Sequence, residues 1–116
     1  MGVRIYCDSK EILDAKNTIF GSLHESIISI IEDEKLKINS TLEAMLEKMD
    51  QRVYGIGAIW VDIADYLKTK EEVLFFADLV KRGIEKEHKQ YPFIPPILDS
   101  LWNFHIELLK YGEKLK

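Results

Sequence analysis

The sequence predicts an all-α domain, a compact bundle of four to five helices with an optional short extended segment at the N-terminus. Two observations carry this. Apolar residues recur at spacings of three, four and seven through most of the chain, the period of a helix with one buried face. Start signals of the Ser/Thr/Asp-x-x-Glu type recur at Asp8–Glu11, Ser40–Glu43 and Thr69–Glu72, each ahead of an apolar stripe.

Val3, Ile5 and Cys7 alternate with Arg4 and Tyr6, which reads as a short strand. No second alternating run is evident, so this segment reads as either an irregular lead-in or an edge offered to a partner. A first helix is expected from Asp8, with Ile12, Ile19, Leu23, Ile27 and Ile30 as its stripe and an end in Glu32-Asp33-Glu34-Lys35. Gly21 costs about 1 kcal/mol of helix stability relative to Ala and marks a place for a kink. Three acids at a helix C-terminus oppose its dipole. They read either as a solvated end or as an acidic patch kept for a basic partner. Asn39-Ser40-Thr41 opens a second helix with Leu42, Met45, Met49 and Val53 on its buried face.

Val53–Leu67, the most apolar continuous stretch, is expected to be the helical post of the bundle. Its stripe is Ile56, Ile59, Trp60, Ile63 and Leu67. The opposite side carries Gly55, Ala58, Asp62 and Asp65, with Tyr66 beside it, and Gly55 and Gly57 offer a stop or bend. A helix from Thr69 uses Val73, Phe76, Ala77, Val80 and Ile84. Prolines 92, 95 and 96 then impose a loop, and a last helix from Ile97 to about Tyr111 is terminated by Gly112. Four or five pieces in 116 residues make one domain, 1–116.

Composition narrows the function. Sixteen basic against 20 acidic residues give a net charge of −4, which argues against direct binding of nucleic acid through its phosphates. No apolar run reaches the roughly 18 residues that a membrane helix needs, and the N-terminus lacks the apolar core of a signal peptide. The cytoplasm is the expected compartment. Cys7 is the only cysteine, so no intrachain disulfide forms, and it reads as a small packing residue.

No motif specifies a chemistry. Glu85-x-x-His88 has the spacing of a di-iron half-site, but only one such pair exists and it sits in a polar turn. Asp62 and Asp65, three apart, share a helix face without a His or Lys beside them. His24 and His105 sit next to apolar seams, and no nucleophile accompanies either. No catalytic residue, metal or cofactor is assigned. Trp60 and Trp102 read as core. Tyr91 and Phe93, in a proline-rigid loop, read as exposed anchors for a protein partner.

The acidic runs Glu32-Asp33-Glu34 and Asp62-x-x-Asp65, and the helical hairpin FADLVKRGIEKEHKQYPFIPPILDSLWNF, make the chain resemble small acidic helical immunity proteins. These are bacterial proteins of contact-dependent growth inhibition or bacteriocin systems. The resemblance is one of size and class over the whole chain, and no functional residue transfers by position. It implies an antagonist that binds a basic, often nuclease, toxin domain. The expected partner-binding residues are Asp62, Asp65, Tyr66, Glu32, Asp33, Glu34, Tyr91 and Phe93. A non-catalytic helical adaptor is the alternative, and the protein is expected as a monomer or homodimer.

Overall fold

The computed structural model describes residues 2–50 and 59–115, and it is a mixed α/β fold, not an all-α one. Its described elements are β1 (Gly2–Cys7), β2 (Lys10–Lys16), α1 (Asn17–Asp33), α2 (Ser40–Lys48), β3 (Ile59–Asp62), a 3₁₀ turn (Ile63–Asp65), α3 (Lys70–Gln90) and α4 (Pro95–Lys114). The strands form one sheet in the order β2-β1-β3. β1 pairs antiparallel with β2 and parallel with β3.

The first correction concerns Asp8 and Ile12. Asp8 does not cap a helix. Asp8 and Ser9 both lie in the left-handed region, at φ 52° and 72°, and join Cys7 to its partner Lys10 as a two-residue hairpin loop. Such conformations strain a residue with a Cβ. Here the strain is offset by hydrogen bonds from both amides to Asp62. A register shift at Ile5/Tyr6 in the β1–β2 ladder leaves Ile12 as the extra residue, so Ile12 and Leu13 are both buried. The bulge erases the two-residue alternation of β2. Ile12 is thereby left in phase with the helical stripe that follows.

The second correction concerns the expected post. Ile59–Asp62 is a strand: Ile59, Val61 and then Ile63 point into the core while Trp60 is exposed. Val53, Gly55, Ile56, Gly57 and Ala58 lie outside the described residues. The apolar side chains of β1 and β3 face inward with Leu13, and the helices cover that face in a single core.

The helices follow their sequence signals more closely. α1 runs unbroken through Gly21 and ends where the charges predict. Lys35, at φ 52°, closes it: Leu36 N–H bonds the Ile31 carbonyl and Lys35 N–H the Glu32 carbonyl, satisfying two of the carbonyls of the last turn. Asn39 caps α2 through Leu42 N–H at 2.8 Å. Thr69 and Glu72 form a reciprocal capping box on α3.

α1 and α3 pack antiparallel, as the pairs Ser26–Glu87, Ser29–Lys86 and Glu34–Arg82 require. Gly83 allows the approach, since a Cβ there would lie 3.0 Å from both Leu23 Cδ1 and Ile27 Cγ1. α3 and α4 form a second antiparallel pair, with Phe76 edge-on to Phe104. Gly112 does not end α4. It lies inside the helix, buried against Leu74 and Val73.

Candidate protein-binding surface

A strand alternates its side chains across the sheet. Since Val3, Ile5 and Cys7 point inward, Arg4 and Tyr6 point outward. The register places Asp14, Arg4 and Trp60 in one row across the three strands, and Glu11, Tyr6 and Asp62 in the next. This outer face joins two aromatics, one cation and three carboxylates. Trp60 is 62% exposed and stands edge-to-face with Tyr6, ring centroids 6.2 Å apart. Tyr6 restrains the indole on one side and leaves most of it to solvent. Arg4 reaches toward Glu11 and Asp14, at 3.8 and 4.0 Å. Pairs so exposed contribute little stability.

Asp62 sits beside this pair. One carboxylate oxygen accepts from Asp8 N–H and Ala64 N–H, the other from Ser9 N–H, all at 2.9 Å. The carboxylate thus fixes the hairpin loop of β1–β2 to the end of β3. Asp65 is exposed in the 3₁₀ turn, and Tyr66, half-buried, packs against the core.

The other expected contact residues lie elsewhere. Glu34 is paired with Arg82 of α3. Asp33 accepts from Ser29 Oγ at 3.3 Å and lies 4.0 Å from Lys86 Nζ. Glu32 is exposed. Two of the three acids that oppose the α1 dipole, Asp33 and Glu34, therefore meet cations of the neighbouring helix. Tyr91 and Phe93 line a groove with Thr18 and Ser22, at the opposite end of α1 and about 20 Å away along its axis. Tyr91 is 67% exposed, while Phe93 is half-buried on His88. The eight residues divide among three places. Trp60, the most exposed aromatic beside the sheet, was not among them. The signal that marks it is the alternation Ile59-Trp60-Val61-Asp62-Ile63, in which every second residue is aliphatic.

The remaining reactive side chains are engaged in the fold. His24 is buried and donates Nε2–H to the Leu46 carbonyl at 2.9 Å. His105 donates Nδ1–H to the Ala77 carbonyl at 2.9 Å. His88 Nδ1 accepts from Phe93 N–H at 3.0 Å. Burial, with the Asp62 and Asp8 carboxylates adding to it, pushes the Cys7 thiol up to about 12. A thiol so protonated is a poor nucleophile. Among the described residues no group of three or more His, Cys, Asp or Glu side chains is placed to hold a metal ion. None of the described helices is long and apolar enough to cross a membrane. Comparison with protein-family models, with curated proteins and with solved structures finds no match.

Proposed function

We propose that this chain is a cytoplasmic protein-binding antagonist of the immunity type, which seats the outer face of its sheet on a basic toxin domain. The observation that carries this reading is Trp60. A tryptophan largely in water on a sheet, restrained by a tyrosine, is the kind of residue that dominates binding energy at protein interfaces. Glu11, Asp14 and Asp62 outnumber Arg4 on that face, Asp65 lies just beyond it, and the chain as a whole is acidic. Such a field draws a cationic surface in and sets its orientation before the indole is buried. The reading assigns no catalytic role, metal or cofactor, and inhibition follows from covering the partner's cationic substrate channel.

The test is affinity capture from the source cell with the tagged chain, run beside Trp60→Ala. The expected result is a basic protein that the parent chain retains and the variant holds about tenfold or more weakly. That protein should be toxic when expressed alone and harmless when the parent chain is co-expressed. Equal retention by the variant, or a captured protein without toxicity, would overturn the proposal.

A further inference from the structure

The last helix, α4, buries one face and presents the other to water. Leu101, Phe104, Leu108 and Gly112 are buried in the fold. The opposite face carries Pro95, Asp99, Trp102, Ile106, Lys110 and Glu113, whose spacings of three and four keep them in one row. Asp99, Lys110 and Glu113 are exposed and Trp102 is half-buried. Ile106 is 47% exposed. The indole is held in place. It stands edge-on to His105, ring centroids 5.8 Å apart and planes at 79°, and His105 is itself tied to the Ala77 carbonyl. Core formation explains neither Ile106 nor the exposed edge of Trp102.

The charges along this row are ordered. Asp99 lies toward the N-terminal end of the helix and Lys110 toward the C-terminal end, eleven positions on, about 16 Å along the axis. A two-fold axis at residues 104–105 exchanges them. Trp102 and Ile106 are symmetric about residue 104, so nearly the same axis brings each indole to the isoleucine of a second copy. Laid antiparallel, two copies pair Asp99 with Lys110 twice, around a centre of two Trp102–Ile106 contacts. The Lys110 side chain is 61% exposed, and its 3.4 Å pair with Glu107 occupies one of its three donors. The same setting puts Glu113 beside Pro95 of the other copy. That is the positive end of a helix with no acidic residue in its first turn and no side-chain cap. A parallel pair would instead set Asp99 on Asp99 and Lys110 on Lys110.

We infer that the outer face of α4 is a homodimer interface, occupied by α4 of a second copy of this chain running antiparallel about a two-fold axis. The row is complementary to itself in charge, and Trp102 and Ile106 supply its apolar centre. One face of a helix about 30 Å long makes a small interface, so the dimer dissociates readily, with a Kd on the order of 10–100 µM. No residue of the outer sheet face takes part, and the inference stands independently of the toxin-binding reading.

The experiment is sedimentation velocity of the full chain at low salt, from roughly 5 µM to about 1 mM. The variants Ile106→Glu, Asp99→Lys and Lys110→Glu run alongside, with an equimolar mixture of the last two. All three side chains are exposed, so these variants should fold, and circular dichroism checks each. The expected result is a monomer–dimer equilibrium in the parent and no dimer in Ile106→Glu. Asp99→Lys and Lys110→Glu, each alone, should dimerise about tenfold or more weakly, because like charges then meet twice. Their mixture should dimerise like the parent, since both pairs are opposite in charge again, and a folding defect cannot produce that recovery. A parent chain that stays monomeric at about 1 mM, its α4 face then left to another protein, would overturn the inference. So would a dimer that the variants leave unchanged, or a mixture no better than either variant alone.

Discussion

Asp62 shows how much a single carboxylate can determine. It joins three backbone amides from two segments that are more than fifty positions apart in the chain. Two of those amides belong to residues held at positive φ. Asp62→Ala should therefore cost about 2 kcal/mol of stability, since charge-assisted bonds are lost and the strained loop is released. Urea unfolding would show this as a lower midpoint at an unchanged slope. The loss should be clearly smaller in Asp62→Asn, whose side chain keeps an acceptor oxygen. A stability loss no larger than that of an ordinary surface substitution would mean that the clamp contributes nothing. As a sequence feature, Asp62 paired with Asp65 at helical spacing. That pairing does not exist on the strand, where the Asp62 carboxylate turns to the hairpin loop and Asp65 follows in a 3₁₀ turn.

At the scale of elements, Glu72 connects two helix starts. Its Oε1 accepts from Lys68 N–H, Thr69 N–H and Thr69 Oγ, and its Oε2 from Asn39 Nδ2 at 2.8 Å and Thr41 Oγ at 3.2 Å. The capping box of α3 thus also reaches the N-cap of α2. The Asn39 bond leads in holding this carboxyl below its ordinary value of 4.5, with help from Thr69, Lys68 and Thr41. A depressed value means that the folded protein binds this proton less readily than the unfolded chain. The stabilisation is then present above about pH 4.5 and is lost as pH falls through the folded value. Glu72→Gln should cost about 1 kcal/mol at neutral pH, and the gap to the parent should close in acid. Unfolding curves at pH 7 and about pH 3 would show it, and a gap that stays constant with pH would remove the carboxylate from the explanation.

The start of α2 within Asn39-Ser40-Thr41 and the capping box of α3 were legible because they are local: a side chain within three residues of the amides it satisfies needs no tertiary partner, although α2 is capped by Asn39 and not by the expected Ser40–Glu43 pair. The hairpin was not. Its loop has neither Asn-Gly nor Asp-Gly, and Asp8-Ser9 adopts left-handed angles because Asp62 rewards them. β3 was obscured by brevity. Four residues give only two turns of alternation, and Ile59 and Ile63 also satisfy a helical spacing. Gly112 illustrates the opposite error. Glycine after an apolar run is a fair stop signal, yet here the missing Cβ serves close packing against Leu74.

The molecule as a whole is a small sheet with one face buried under helices, and Cys7 reports on that arrangement. It is 7% exposed, at the end of β1 beneath α4. Native protein at pH 8 should react with a thiol reagent such as Ellman's far more slowly than urea-unfolded protein. In rising urea the rate should track the global transition, because opening this site requires sheet and helices to part. Fast reaction in the native state would place the thiol outside the core. The pH response follows from the same burial. The unfolded chain loses the proton near pH 9 and the folded one near 12, so the stability this thiol contributes is intact below about 9 and is lost between those values. Cys7→Ser should flatten that alkaline fall.

The sequence by itself determined the start of α2, the helix α3, the C-terminal end of α1, the proline break and the acidic charge balance, while it left residues 3–7 open between a lead-in and an edge strand and carried α2 past its end at Lys48. These rest on spacing, capping and composition, which act over a few residues. Only the tertiary structure decided that the first apolar residues after Asp8 form a strand, that Val3–Cys7 has two partners, and that Trp60 faces water. Sheets are built from segments far apart in sequence, and β1 finds β3 across more than fifty residues. No local period can announce a pairing whose hydrogen bonds, bulge and outward face exist only once the strands have met.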